Sequence, residues 1–409
     1  MLWLYNIGIQ LYGLIVKIFS LFNSKAALFV KGRVDLLENI SQTIDPTYKH
    51  IWFHFASLGE FEQGRPVLEK LKEHYPNKRI VITFFSPSGY EIRKDYKGVE
   101  GIFYLPLDTR NNAKKLIKVL NPEFAIFTKY EYWYHYFNEL HKAQIPLYII
   151  SGIFRPRQIY FRWYGGFNRK ILNCVTHFFV QNEESRLLLE SIDIRNVTIS
   201  GDTRFDRVAE NAQTAKELPD IEQFCAGKDV LIAGSTWPAD EELLKSLIDL
   251  NPNWKFIIAP HEIDEAHLSA IKSLFPNAIT YSTFKDEANA QILIIDNIGL
   301  LSSLYQYGKI AYIGGGFGVG IHNTLEAAAF GIPVIFGPNY QRFQEAKDLI
   351  KLNSAQSIST KEELIAAFKG LTASSIPGQL AIQYVEKQKG STEAILQQLS
   401  PILENKDPG

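Results

Sequence analysis

Two acidic residues stand just after short apolar runs: Glu60 in Ser57-Leu-Gly59-Glu60, and Glu131 in Thr128-Lys-Tyr-Glu131-Tyr-Trp133. Ligands of open α/β sheets gather at the carboxyl ends of strands, where a carboxylate can act as a general base. The same residues also fit plain helix starts. Ser57-x-x-Glu60 has the spacing of a capping box, and an acid near 131 suits a helix dipole. Arg204, in Gly201-Asp-Thr-Arg204-Phe-Asp206, carries a planar donor fork able to neutralise a phosphate leaving group. Its bland alternative is a surface pair with an aspartate, worth little. Thr83-Phe-Phe-Ser86-Pro-Ser88-Gly89 leaves a strand and enters a helix. Its hydroxyls and amides can hold an anion, or simply cap the helix.

Further along, Gly234-Ser235-Thr236-Trp-Pro ends a strand with hydroxyls and a glycine amide, and Ala259-Pro260-His261-Glu ends the next. His261 can contact a phosphate or a base. A lone histidine is as easily an ordinary polar residue, and no second one stands at metal-ligand spacing. The most informative segment is Gly314-Gly315-Gly316-Phe-Gly318-Val-Gly320-Ile-His322-Asn323-Thr324-Leu325-Glu326-Ala-Ala-Ala. A strand there runs through a glycine-rich loop into a helix. Glycines let backbone amides approach an anion closely. This is not the dinucleotide fingerprint, and no Gly-Lys-Ser/Thr of a P-loop is present. Asn323 and Glu326 have cap-to-N3 spacing, yet the glutamate is also a good acceptor for ribose hydroxyls. Five glycines around one strand end exceed what a turn needs, so a nucleotide-type ligand is expected there.

The elements that must position these residues alternate. Strands are expected at 50–56, 79–85, 101–105, 124–128, 146–150, 177–181 and 197–200, then at 229–233, 254–259, 291–295, 310–313 and 333–336. Helical patterns such as 60–73, 111–120, 131–142 and 183–191 lie between them. Such alternation predicts parallel sheets with helices on both faces. The pattern pauses near 209–228, which is polar and reads as a linker. Two doubly wound, Rossmann-like domains facing a cleft follow, at 25–208 and 229–409.

The chain has 409 residues, 43 Lys+Arg and 44 Asp+Glu, so its formal net charge is −1. That balance speaks against a nucleic-acid partner held by a broad basic field. Cys174 and Cys225 are too few for a disulfide framework or a cysteine zinc site, which fits a reducing compartment. The average hides an apolar start. Residues 1–22 are mostly apolar and acid-free, with Asn6, Gln10, Gly13, Lys17, Ser20 and Ser24 on one helical stripe. There is no basic n-region, which speaks against a cleaved signal peptide. A helix of residues 1–24 lying in a membrane interface suits the stripe better than a spanning one. A helix in the protein's own core is the alternative.

Read in order, these motifs resemble the Kdo (3-deoxy-D-manno-octulosonate) transferases of lipopolysaccharide biosynthesis over almost the whole chain. The specific matches are Ser57-x-Gly59-Glu60, Thr83-x-x-Ser86-Pro-Ser88-Gly89, Glu131-x-Trp133, Gly201-Asp-Thr-Arg204-Phe-Asp206 and His322-Asn323-x-x-Glu326-Ala-Ala-Ala. The resemblance implies a GT-B glycosyltransferase, inverting and independent of metal or other cofactor. The donor would be CMP-Kdo and the acceptor a lipid A precursor of the lipid IVA type, with no nucleic acid involved. Glu60 matches the general base and Glu131 a transition-state stabilising position, both in an acceptor-binding first domain. Arg204 falls where lysine is common. Pro260 and His261 fall where Pro-Arg meets CMP, and Ile298, Gly299 and Leu300 at another CMP contact where an acid usually replaces Leu300. Asn323, Thr324, Leu325 and Glu326 match the ribose- or cytidine-contacting helix start, and Gly315 and Gly316 of the glycine-rich loop are expected to bind substrate with them. The implied location is the cytoplasmic face of the bacterial inner membrane, held by the first helix. The rivals are a GT-B enzyme using another nucleotide sugar, an epimerase, or a non-catalytic membrane-surface protein that binds nucleotide or lipid.

Overall fold

The computed structural model describes residues 1–284 and 289–404. The first sheet contains β1 (His50–Phe55), β2 (Arg79–Phe84), β3 (Gly101–Tyr104), β4 (Pro122–Thr128), β5 (Leu147–Gly152), β6 (His177–Val180) and β7 (Val197–Ile199). The second contains β8 (Val230–Thr236), β9 (Lys255–Pro260), β10 (Ile279–Thr280), β11 (Ile292–Ile294), β12 (Ile310–Ile313), β13 (Val334–Phe336) and β14 (Ala355–Ser357). The strand orders are β3-β2-β1-β4-β5-β6-β7 and β10-β11-β9-β8-β12-β13-β14, parallel throughout. Both are the doubly wound α/β arrangement that the alternating pattern predicts. Each sheet reverses direction beside its first strand, at β1/β4 and at β8/β12, which is where such folds bind ligands.

Strands covered on both faces read as apolar runs rather than alternating ones. β1, His-Ile-Trp-Phe-His-Phe, is buried at every position. Trp52 enters one core with Val81, Phe127, Tyr136 and Ile149. Ile51, Phe53 and Phe55 enter the other, with Phe61, Ile82 and Ile126. That second core is completed by Ile395, Leu396, Leu399 and Leu403, from the last helix, Ser391–Leu403.

The compact units therefore differ from the expected domain boundaries. One comprises residues 1–206 together with those from 390 onward, and the other residues 207–389. The expected second domain runs to 409, but the final helix returns to the first unit. Its start is fixed there by Asp206, which accepts the Thr392 amide at 2.7 Å and the Thr392 hydroxyl at 2.8 Å. The expected linker is also largely helical, with helices at Arg204–Gln213 and Pro219–Cys225.

The N-terminal helix, Leu2–Phe19, has no buried residue, so the protein-core alternative for it does not hold. It lies on the first unit through a narrow face. The Tyr5 hydroxyl donates to Asp108 at 2.5 Å, and Asn6 Oδ1 meets His135 Nε2 at 2.7 Å. Tyr12 stacks on Phe85, with ring centroids 6.1 Å apart. Part of the stripe expected to face water thus faces the protein. Trp3, Leu4, Ile7, Leu11, Leu14, Ile15, Ile18 and Phe19 remain exposed.

Candidate active site

Within the first unit, adjacent strands β1 and β4 each deliver a carboxylate from the carboxyl end. After β1 the chain turns at Ala56 and Ser57 into the helix Leu58–His74, whose third residue is Glu60. The capping box does not form. Ser57 is the N-cap residue, but its side chain makes no cap hydrogen bond. Glu60 Oε2 instead accepts the Ala56 amide at 2.6 Å, one residue earlier than a capping glutamate would. Burial, and then the neighbouring Glu131 carboxylate, push the Glu60 pKa up to about 7, against the pull of the Ala56 amide and Lys129. An acid tuned this way is half ionised near neutral pH, as a general base working there should be. Beside it, Gly59 is exposed, and a Cβ there would meet only Ser57 Oγ at 3.9 Å. Packing does not require that glycine.

Glu131 precedes the helix Tyr134–Lys142 and is not in its first turn, so the helix-dipole reading of this acid does not apply. Its Oε2 accepts the Trp133 indole N–H at 2.8 Å and faces His54 Nε2 at 3.3 Å. The surrounding bonds decide the His54 tautomer. Trp52 Nε1 can only donate, and it meets Thr83 Oγ1 at 2.8 Å. The Thr83 proton then points to His54 Nδ1 at 2.8 Å, since its other acceptor, Phe53 O, lies at 3.5 Å. The His54 proton therefore sits on Nε2, aimed at Glu131; this is an assignment from the network. Thr83→Val should strand the buried Trp52 N–H and lower stability by about 1–3 kcal/mol in denaturant titration. A change below about 0.5 kcal/mol, within the range of neutral surface substitutions, would break this account of the network.

Arg204 is not a surface pair. Its Nε and Nη2 bind Asp202 Oδ2 at 2.9 and 2.8 Å, and Asp202 is buried and also accepts Gln63 Nε2 at 2.9 Å. Burial disfavours the Asp202 charge, but Arg204 and Gln63 outweigh it and hold the carboxyl below its ordinary range. Tyr130 marks where these charges meet. Burial raises its hydroxyl pKa, Arg155 and Arg204 pull it down, and Glu60 pushes it up. Glu60, Glu131 and Arg204 are thus brought to one locality. Ser86 takes the plain N-cap role, accepting the Ser88 amide at 3.2 Å, with the two hydroxyls 3.0 Å apart. The sequence motifs do not single out His54, Lys129, Tyr130 or Arg155. A histidine near the carboxyl end of a mostly apolar strand is the signal that marks His54; the strand's other histidine, His50, stands at its opposite end.

In the second unit, the expected residues collect at the carboxyl ends of the adjacent strands β9, β8 and β12. Gly234 packs against Tyr305, whose hydroxyl a Cβ would approach to 2.3 Å, and Ser235 is held at φ +53°. The Thr236 hydroxyl donates inward to Glu241 at 2.8 Å. Beyond Pro260, the His261 ring stacks on both Trp237 and His322, with centroids 4.9 and 4.3 Å away. Trp237 Nε1 donates to His322 Nε2 at 3.2 Å. Burial, and then His261, lower the His322 pKa to about 4, so this ring is neutral at pH 7. The exposed His261 ring, backed by these two rings, gives a flat surface of the kind a nucleobase can stack on.

The glycine-rich loop is tied to the fold rather than open. The Gly315 amide donates to Asp240 Oδ2 at 3.0 Å, and Asp240 also accepts the Tyr312 hydroxyl at 2.7 Å. The amides of Gly318 and Gly320 both turn back to Gly315 O. A Cβ on Gly316 would lie 2.6 Å from the Gly337 backbone. Asn323 Nδ2 donates to Glu326 Oε1 at 3.0 Å, and Asn323 Oδ1 accepts the Leu325 amide at 3.1 Å. Thr324 and Leu325 are fully buried, so their side chains belong to the core. Ile298, 87% exposed, Gly299 at φ +95° and Leu300 follow β11, which neighbours β9.

A family model described as "3-Deoxy-D-manno-octulosonic-acid transferase (kdotransferase)" matches residues 30–207. The 3-deoxy-D-manno-octulosonic acid transferase of Chlamydophila psittaci is 30% identical over 304 residues, covering 71% of this chain and 70% of the relative. The protein of the same name from Rickettsia bellii is 27% identical, covering 77% of each chain. Among solved structures, UDP-GlcNAc 2-epimerase from Neisseria meningitidis, bound to UDP-GlcNAc, superposes with a TM-score of 0.61 at 16% identity. It covers 86% of this chain and 100% of that one, and at such identity the likeness concerns the fold alone.

Proposed function

Since the chain belongs to the 3-deoxy-D-manno-octulosonic acid transferase family, we propose that it moves Kdo from CMP-Kdo to a lipid A precursor of the lipid IVA type, with inversion. In this reading Glu60 takes the proton of the acceptor hydroxyl as its oxygen attacks the anomeric carbon. The bond from that carbon to the phosphate oxygen breaks, and its electron pair leaves with CMP. Glu131 stabilises the developing positive charge on the sugar. Arg204 offsets the charge on the departing phosphate. The loops after β8, β9 and β12 bind the nucleotide. CMP leaves as a monophosphate, which needs a metal clamp less than a diphosphate does.

The observation that carries this reading is the Glu60 carboxylate. It is raised to about 7 beside a second carboxylate, at a strand end, with open space over Gly59. The exposed apolar face of the N-terminal helix supports an acceptor held in a membrane. In this reading the enzyme works on the cytoplasmic face of the inner membrane. A product-mass assay with CMP-Kdo and lipid IVA tests the proposal. We expect CMP release and acceptor mass increased by whole Kdo residues. Turnover of a uridine-linked sugar with none of CMP-Kdo would move the assignment to another nucleotide sugar.

A further inference from the structure

After β5 the chain runs through Arg155-Pro-Arg157-Gln-Ile-Tyr-Phe-Arg162-Trp163-Tyr164 before the helix Gly166–Leu172. Half of this segment is firmly seated. Tyr160 packs on Tyr132, 5.5 Å between centroids, and Phe161 on the buried Phe154 at 6.0 Å. Arg169 Nη1 donates to Tyr160 O at 3.0 Å and Arg162 O at 2.9 Å, holding the turn closed. Gly165 is sterically required, because a Cβ there would lie 2.0 Å from Ile159 O. The other half points outward. Trp163 is 90% exposed and Tyr164 50%, their rings edge to face at 5.4 Å.

A turn this well fastened does not expose an indole for want of a place to bury it. Residues 155–170 carry Arg155, Arg157, Arg162, Arg169 and Lys170 and no acid. Exposed tryptophan and tyrosine among arginines match the chemistry of a bilayer boundary, where aromatic rings sit at headgroup depth and cations meet anionic lipid. The helix that follows the turn meets the N-terminal helix. Phe167 contacts Tyr5 of that helix at 5.8 Å and stacks on Tyr134 at 5.1 Å.

We infer that residues 155–164 form a second membrane-contact element, which sets Trp163 and Tyr164 into the headgroup region of an anionic bilayer beside the N-terminal helix. This rests on the reading of the protein as acting on a membrane-held acceptor. Tyr132 packs on Tyr160 of this element and Tyr134 on Tyr5 of the helix, 5.8 Å between centroids, so both contacts would fix the chain around Glu131 relative to the membrane surface.

Trp3 and Trp163 allow the two elements to be read separately. The full chain, with W3F and W163F variants, would be mixed with phosphatidylcholine/phosphatidylglycerol vesicles carrying brominated acyl chains. We expect each variant to lose a distinct share of the bromine quenching. We also expect W163S/Y164S to bind vesicles roughly tenfold more weakly with unchanged circular dichroism. Unchanged quenching and binding in the Trp163 variants, with quenching of Trp3 intact, would overturn this inference and leave the helix reading standing. Quenching lost in neither variant, with no vesicle binding by the full chain, would overturn both. Emission of Trp163 that responds to protein concentration but not to lipid would assign the turn to a second copy and also overturn the inference.

Discussion

Glu60→Gln is expected to lower transfer from CMP-Kdo by roughly 10²–10⁴-fold, the usual contribution of a general base, while the chain stays folded. The substitution keeps an acceptor for the Ala56 amide and removes only the ability to take a proton. With the wild-type pKa near 7, the active form is the carboxylate, so the rate should rise with pH and level off above about 7. At pH 6 roughly a tenth of the protein would hold the base ready, one pH unit below the midpoint. E60Q should lose that dependence along with the rate. Near-wild-type turnover by a folded E60Q protein would remove Glu60 from the chemistry.

The raised pKa has a consequence for stability, of opposite sign. In the folded chain it lies above the ordinary glutamate value of 4.5, so the folded form holds its proton while the unfolded form gives it up. Stability contributed by this group is present below pH 4.5 and is lost as pH rises to about 7. At about 1.4 kcal/mol for each pH unit separating the two values, the loss is of order 3 kcal/mol above neutrality. E60Q should therefore melt higher than the wild type at pH 8 and no higher near pH 4.5. A residue kept at that penalty fits a functional site better than a structural one.

Much of the fold is readable before any coordinates, because strands buried on both faces announce themselves as short apolar runs with turns at either end. β10 and β14 escape this signal. β14 is Ala-Gln-Ser, with no apolar run, and β10 has only two residues; both lie at sheet edges. The return of the last helix to the first unit escapes it too. Ile395, Leu396, Leu399 and Leu403 show that the helix has an apolar face, but periodicity does not say which core receives it. At the site, position at strand ends marks Glu60 and Glu131 as candidates, but leaves them open to the plain helix-start reading as well. What surrounds them was not readable. The His54–Thr83–Trp52 chain joins three residues of two neighbouring strands through register, which local spacing does not encode. Ser57-x-x-Glu60 shows the converse, a local motif that predicts a bond the tertiary setting redirects.

Gly316→Ala is expected to be strongly damaging to the second unit, and Gly318→Ala, two residues away, to be nearly silent. Counting glycines treats the five as equivalent, but the backbone does not. Gly316 touches the Gly337 backbone, and a Cβ would sit 2.6 Å from both its Cα and N, atoms that cannot rotate aside. Gly314 faces Ser235 O in the same way at 2.2 Å. Gly315 and Gly320 have φ of +89° and +147°, which an L side chain adopts only under strain. Gly318 has neither demand, since its nearest neighbour for a Cβ is Gly315 O at 3.5 Å. Overpacking of rigid backbone costs about 3 kcal/mol, at the upper end of the usual range. That should lower the melting transition of the unit by roughly 6–12 °C and raise the KM for CMP-Kdo. G318A should stay within about 0.5 kcal/mol of the wild type. The pair separates two reasons for a glycine-rich loop. Gly314 and Gly316 are accounted for by the way the loop threads between the ends of β8 and β13, and Gly315 and Gly320 by their backbone angles, with no ligand invoked. If G318A folds normally and yet weakens CMP-Kdo binding, that one glycine is kept for close approach of the donor. If G316A and G318A behave alike in stability, the backbone contact with Gly337 does not govern the loop.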